Sequence, residues 1–113
     1  MILLVAAVFL WATPLQVQAA ECGKASWYGE AHHGKPMRNG KPFNMRAMTA
    51  ASNSLRLGSR ARVSYGKKSV TVTITDTGGF GRYGRIIDLS KAAFAALADT
   101  DKGIIRVCVT RVK

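Results

Sequence analysis

The segment SVTVTIT at residues 69–75 alternates strictly between small hydroxyl side chains and branched apolar ones. Successive side chains of a β-strand point to opposite faces, so its valines and isoleucine share one face and its hydroxyls the other. The preceding run Arg60–Tyr65 is also typical of a strand, and Gly66–Lys68 joins the two runs. The sequence therefore predicts a β-hairpin with one buried and one polar face.

Other segments extend this pattern. A strand-like run covers Lys24–Gly29, and Gly103–Val112 alternates so that its isoleucine and valines share one face while Cys108 points to the other. Between the strands, Ser90–Ala98 is predicted as a short helix that Ser90 caps and that buries its phenylalanine and leucine. Several short strands with one or two helical turns predict a mainly β fold, a small closed barrel without exposed edges.

The amino terminus has the pattern of an export signal. Residues 2–12 form an uncharged apolar run that is well short of the roughly 20 residues needed to span a bilayer, and Val17–Ala19 suits cleavage after a small residue. We therefore predict a secretory signal peptide at residues 1–19 and one domain at residues 20–113. After cleavage, no stable membrane insertion is expected.

The chain has two cysteines, Cys22 and Cys108. Two cysteines in a small exported domain are most simply explained by one disulfide bond, although two unrelated free thiols are the alternative. Glu21 precedes Cys22 directly, which disfavours a lipid anchor because such anchors follow a small residue. In the chain-entropy model, closing so long a loop stabilises the fold by at most about 4 kcal/mol.

The charge balance indicates the kind of partner. The chain carries 17 basic and 6 acidic residues, a net charge of +11, all of them beyond the predicted signal. Such a field attracts polyanions without specifying a site. Nucleic acid is not expected as a partner, because the basic residues are not interleaved with stacking aromatics and export separates the domain from it. We expect a monomer.

Two acids flank a glycine-rich loop. Asp76 ends the alternating strand, and Asp88 stands just before the predicted helix. Asp76 is a candidate site residue at the mouth of the loop or a turn residue that bonds its own loop amides. Asp88 is a candidate binding residue or an acid that stabilises the helix dipole.

Aromatic residues and histidines precede this region. Trp27 and Tyr28 offer aromatic faces on which a ligand could stack, but alternation turns one of them inward, where a core aromatic is the commoner outcome; Tyr28 is the candidate binding residue. The adjacent His32 and His33 have no cysteine or carboxylate at ligand spacing, so we predict a solvated loop, no metal site and no cofactor.

Six segments together resemble, in order, the rare lipoprotein A-like domain. They are Ala25–Gly34, Asn39–Met45, Met48–Ala51, Leu55–Val63, Thr73–Phe80 and Gly84–Ala93. The resemblance implies a six-stranded double-psi β-barrel related to expansins, located in the periplasm or cell envelope of a bacterium. It also implies a lytic transglycosylase that cleaves peptidoglycan glycan strands and leaves 1,6-anhydro-N-acetylmuramic acid ends. Asp76 falls at the position of the family's catalytic acid, and Asp88 at that of an acid in the polysaccharide groove of expansin-like relatives.

The chain departs from the family at three polar positions, one of which is Met37 in place of a threonine. Lys41 stands where the family has a glutamate, and Ser52 where it has a histidine. By the resemblance both positions are expected to contact the substrate. A lysine near Asp76 would favour the ionised carboxylate, whereas a general acid must keep its proton. The alternative is therefore a non-catalytic peptidoglycan-binding or expansin-like protein that loosens the wall.

Overall fold

The computed structural model describes residues 20–81 and 84–112, so the predicted signal peptide lies outside the described residues. The described chain forms six strands, one α-helix and one 3₁₀ turn. The strands are β1 (Glu21–Tyr28), β2 (Thr49–Ser52), β3 (Arg60–Tyr65), β4 (Lys68–Asp76), β5 (Arg85–Ser90) and β6 (Ile105–Val112). The helix α1 spans Lys91–Leu97, and the 3₁₀ turn spans Thr100–Lys102.

The strands close into a barrel in the order β1-β5-β2-β4-β3-β6. β1 pairs parallel with β5, and β2 pairs parallel with β4, while the other four pairings are antiparallel. The predicted β3–β4 hairpin is present, with Tyr65 opposite Lys68 at its turn. The predicted small closed barrel is thus confirmed.

The barrel interior is filled by the apolar side chains that the alternation predicted. Val72 and Ile74 of β4 are buried, as are the isoleucine and the two inward valines of β6. Val70, the third member of the predicted inward face, is only partly buried. Burying one such side chain fully stabilises the fold by roughly 1.5–3 kcal/mol.

The helix closes one end of the barrel. Ser90 caps it as predicted, because its hydroxyl oxygen accepts a hydrogen bond from the amide of Ala93 at 3.1 Å. Phe94 and Leu97 are fully buried, and Trp27 packs its ring 6.4 Å from that of Phe94. No helix in the described ranges is long and apolar enough to cross a bilayer.

A disulfide fastens the seam between the first and last strands. Cys22 and Cys108 lie directly opposite each other across the antiparallel β1–β6 pair and are bonded, as predicted. The bond joins residues 86 positions apart, so it ties together the two ends of the barrel chain. Its main effect is to restrict the unfolded chain.

Replacing both cysteines by alanine should lower the free energy of unfolding by at most about 4 kcal/mol, because the unfolded chain gains the freedom that the loop removed. Chemical denaturation of the double variant and of the oxidised parent measures the difference. Reducing the parent with a thiol reagent should reproduce it. Equal stability of all three would show that the bond does not restrict the unfolded state.

Candidate functional site

Two acids lie on one line across the outer face of the barrel. The strand register pairs Ser26 of β1 with Asp88 of β5, Asp88 with Ala51 of β2, and Ala51 with Asp76 of β4. Neighbouring strands are about 4.8 Å apart, so the Cα atoms of the two acids are separated by about 10 Å. The small side chain of Ala51 stands between them and leaves an open floor.

A β-bulge brings Asp76 to this face. The register of the β2–β4 pair shifts between Ala50 and Ala51, so that Ala50 opposes Ile74 and Ala51 opposes Asp76. Without the extra residue, Asp76 would follow Val72 and Ile74 toward the barrel interior, because strand side chains alternate. Bulges commonly re-aim a side chain beside a functional site.

The acids open into a cleft of about 280 Å³. Strand β1, the loop after it and the glycine-rich loop form its walls. The residues that line it are Tyr28, His32, Ala51, Asp76, Thr77, Gly78, Gly79, Phe80, Arg85 and Asp88. The cleft therefore contains three of the predicted site residues, Asp76, Asp88 and Tyr28.

Asp76 is held by backbone amides. Its Oδ1 accepts hydrogen bonds from the amides of Arg38 and Thr77, each at 2.9 Å. The bond from Thr77 is the loop contact that the turn interpretation predicted, so Asp76 both orders its loop and lines the cleft. Among the described residues no hydrogen bond reaches Oδ2, which leaves this oxygen available to a ligand.

Asp88 is partly buried. Burial raises the pKa of its carboxyl above the usual range, and the nearby Asp76 adds to the rise. The hydroxyl of Ser26, which donates to Oδ1 at 3.0 Å, lowers the pKa, as do the charges of Arg85 and His32. Burial is the largest of these effects, so Asp88 holds its proton to higher pH than an ordinary aspartate.

Tyr28 carries a hydroxyl without a partner. Its ring stacks on Phe43 at a centroid distance of 4.1 Å, and its buried hydroxyl makes no hydrogen bond to any described residue. Burial, and then the charges of Asp76 and Asp88, raise the pKa of this phenol, so the group remains a neutral donor. A buried donor without a partner at the wall of a cleft is suited to bind a ligand oxygen. Trp27 faces the core instead, as alternation required.

The glycine-rich loop is clamped by a residue that the sequence reasoning missed. The side-chain amide of Asn53 donates to the carbonyl of Gly78 at 2.7 Å, and its oxygen accepts from the amide of Gly78 at 3.1 Å. Phe80 is buried beneath the loop. An Asn after a short strand has no distinctive sequence signal, because its partner lies 25 residues away.

The two adjacent histidines make different contacts. Both histidines are exposed in the turn after β1, as predicted, and His32 also lines the cleft and contacts the ring of Tyr28 edge-on at 5.8 Å. The Nδ1 of His33 accepts a hydrogen bond from the amide of Met45 at 3.2 Å and so orders the loop. Within residues 20–81 and 84–112, no group of three metal-ligating side chains comes together.

The loop between the acids contains two arginines, Arg82 and Arg85. Arg85 lines the cleft and donates to the hydroxyl of Ser26 at 3.1 Å, so it acts on Asp88 through that hydroxyl as well as by its charge. Arg82 lies outside the described residues.

The structure does not bring Lys41 and Ser52 to this cleft. Lys41 lines a neighbouring groove on the other side of the turn formed by residues 36–42. Ser52 is 2% exposed, and its hydroxyl oxygen accepts hydrogen bonds from the amides of Ser54 and Leu55 at 3.2 and 3.0 Å. Contact of either residue with a substrate stays a prediction.

These features define a small double-psi β-barrel with two carboxyl groups in a cleft on its outer face. A family model described as lytic transglycolase matches residues 20–109, and the chain belongs to that family. The resemblance to rare lipoprotein A-like domains is thereby confirmed.

Named relatives are longer proteins. The chain is 39% identical over 94 residues to the endolytic peptidoglycan transglycosylase RlpA of Neisseria meningitidis serogroup B, covering 81% of this chain and 39% of the relative. It is 41% identical over 93 residues to a probable enzyme of the same name from Synechocystis, covering 80% and 29%. The chain thus spans less than half the length of either. An uncharacterized Synechocystis protein, ssl3177, is 41% identical over 90 residues, covering 78% of this chain and 94% of that protein.

Solved structures of the same fold include two from other functional classes. The Streptomyces papain inhibitor superposes with a TM-score of 0.68 at 25% identity, covering 87% of this chain and 98% of the inhibitor. An expansin of Clavibacter michiganensis superposes with a TM-score of 0.69 at 26% identity, covering 84% and 51%. The predicted relation of the fold to expansins is confirmed.

Replacing Asp88 by asparagine should raise the melting temperature at pH 7. The pKa of Asp88 is raised in the folded state, so folding favours the protonated carboxyl group. The stability that this group contributes to the parent is therefore fully present below the unfolded pKa of about 4, and it is lost as the pH rises through the folded pKa. The difference in melting temperature between the variant and the parent should therefore shrink toward pH 3. Thermal melts at both pH values measure it, with the exposed Asp101→Asn as control. A variant less stable than its parent at pH 7 would contradict the assignment.

Proposed function

We propose that this domain is a lytic transglycosylase that cleaves peptidoglycan glycan strands and leaves 1,6-anhydro-N-acetylmuramic acid ends. The observation that carries the proposal is the pair of carboxyl groups in one cleft with unlike surroundings, one buried and one held by amides. Two carboxyl groups with different environments are the usual means of separating an acid from a base. Similarity to enzymes named for this reaction supports the choice of substrate.

Asp88 is the better proton donor of the two. A general acid must be protonated when the substrate binds, and burial favours the protonated form of Asp88. It donates its proton to the glycosidic oxygen that leaves C1 of N-acetylmuramic acid. This assignment differs from the sequence prediction of Asp76 as the sole acid and base.

Asp76 then acts as the acceptor. After the C1–O bond breaks, the C6 hydroxyl of the same sugar attacks C1, and its proton passes to Oδ2 of Asp76, to which no described residue donates a hydrogen bond. No water is consumed. Solvent in the open cleft then takes the proton from Asp76 and supplies one to Asp88, which restores both carboxyl groups. The hydroxyl of Tyr28, lying within the fields of both acids, donates a hydrogen bond to the bound sugar.

The location and partners follow from the substrate. Peptidoglycan lies in the bacterial envelope, which agrees with the export predicted from residues 1–19. A monomer suffices, because all the proposed groups belong to one chain.

The second candidate is a non-catalytic glycan binder that loosens the wall. The superposition on an expansin favours it, as does the presence of Lys41 and Ser52 where the family has a glutamate and a histidine. Both candidates use the same cleft, and only the chemistry of the product separates them.

Asp76→Asn and Asp88→Asn should each fold and bind glycan strands while losing anhydro products by at least about 100-fold, because an amide keeps the shape but cannot transfer a proton. Mass spectrometry of products released from denuded glycan strands measures this loss. The exposed Asp101→Asn is the matched control and should keep full activity. If the parent releases no anhydro product at any pH, the binder is correct; if only Asp76→Asn is inactive, Asp76 is the sole acid and base.

Tyr28→Phe should leave folding stability unchanged or slightly higher, because it removes a buried hydroxyl that has no partner. Product formation should fall about tenfold, since one hydrogen bond to the sugar is lost. Tyr65→Phe, on the far side of the barrel, is the control. Undiminished turnover by Tyr28→Phe would remove this residue from the site.

A further inference from the structure

A chain of hydrogen bonds leads from Arg85 through Ser26 to Asp88. The Nη1 of Arg85 donates to the hydroxyl oxygen of Ser26 at 3.1 Å, and that hydroxyl donates to Oδ1 of Asp88 at 3.0 Å. Ser26 is 7% exposed, so solvent has little access to the middle of the chain. An arginine is thus linked to the proposed acid by a single buried hydroxyl.

A second β-bulge puts Arg85 on the same face as Asp88. The two residues are three positions apart on β5, a spacing that turns side chains to opposite faces in a regular strand. The β1–β5 register shifts between Lys24 and Ala25, so that Arg85 opposes Lys24 and Asp88 opposes Ser26. Lys24 and Ser26 alternate with Ala25 on β1 and therefore share a face. The bulge re-aims Arg85 toward the serine.

The direction of the hydrogen bonds follows from what each group can do. A guanidinium group donates and cannot accept, so the hydroxyl proton of Ser26 cannot point to Arg85. Among the described residues, the carboxyl of Asp88 is the only acceptor that this hydroxyl reaches. In the reverse arrangement, with the protonated carboxyl donating to Ser26, the buried hydroxyl proton would lose its acceptor, which is unfavourable. The hydroxyl proton is therefore committed to Oδ1.

The occupied Oδ1 determines where the proton of the acid lies. Since Ser26 donates to Oδ1, the proton of the carboxyl itself is on Oδ2, to which no described residue donates a hydrogen bond. Asp88 lines the cleft, so a proton on this oxygen can be given to a ligand. Loss of Arg85 would make room for water, which accepts hydrogen bonds. The hydroxyl could then turn away and accept from the carboxyl, which would withdraw the proton from the cleft.

We propose that Arg85 is a positioning residue for the acid, which through Ser26 keeps the proton of Asp88 on Oδ2, where the substrate takes it. The inference rests on the proposed function for the role of Asp88 as the acid. Burial is the main cause of the raised pKa of Asp88, and the charge of Arg85 acts against it. Arg85 therefore reduces the protonated fraction of Asp88 but directs the proton that is present. The other titratable groups that face Asp88, which stay unchanged in the test variants, are Asp76, His32 and Tyr28.

Kinetics on glycan strands separate position from charge. Arg85→Met removes the donor and the charge, so the pKa of Asp88 should rise and the alkaline limb of the kcat profile should move to higher pH. The pH-independent maximum of kcat should nevertheless fall about tenfold, because the proton is no longer directed to the substrate. Ser26→Ala should lower it as well, and the double variant should lose less than the product of the single losses. Lys24→Gln removes an exposed cation opposite Arg85 and should keep the maximum.

Carbon NMR titration of the carboxyl groups gives the pKa of Asp88 in the same variants without substrate. Arg85→Met should raise it more in the parent than in the Ser26→Ala background, where only the direct effect of the charge remains. Equal rises in both backgrounds, or an unchanged maximum of kcat, would overturn the proposal. A raised KM with unchanged kcat would show that Arg85 binds the polymer instead. If the parent forms no anhydro product, the proposed function fails, and the NMR comparison alone decides whether Arg85 acts through Ser26.

Discussion

Closure of the sheet is the constraint on which the rest of this structure depends. Six short strands enclose little space, and the three alanines Ala25, Ala50 and Ala61 are fully buried where larger side chains would not fit. Closure brings β1 beside β6, where the disulfide secures it, and places β5 between β1 and β2. That insertion creates the single line of residues from Ser26 through Asp88 to Asp76.

The site departs from what stability alone would select. A buried carboxyl with a raised pKa destabilises the fold at neutral pH, and an unpaired buried hydroxyl at Tyr28 does the same. Ser26 offsets part of the first cost by donating to Asp88, and Arg85 donates to Ser26 in turn. Several groups that destabilise the fold and lie together in one cleft are typical of functional sites.

Sequence reasoning succeeded where local pattern decides structure. The alternation within β3, β4 and β6 and the cap at Ser90 were predicted directly from the sequence, and the two cysteines admitted one intramolecular pairing.

Strand β2 has four residues, too few to show a period, and β5 was recognised only as part of a family motif. The boundary of β6 was wrong by two residues, because Gly103 has a positive φ of 69° and ends the 3₁₀ turn. Three features depend on long-range register, which local patterns do not contain. They are the bulge that turns Asp76 outward, the hydrogen bonds of Asn53 to Gly78 and the separation of Lys41 from the cleft.

The distribution of charge explains why a cleft with two acids can serve an anionic polymer. The exposed residues Arg62, Lys68, Arg106 and Arg111 lie on β3, β4 and β6, and in these strands Asp76, at the end of β4, is the only acid. These strands form the side of the barrel away from β5, so the basic field attracts the polymer to the whole domain rather than to the cleft. Within the cleft, Arg85 lies beside the two acids and its charge acts on Asp88, so the carboxylates of the polymer do not meet an unopposed negative field there.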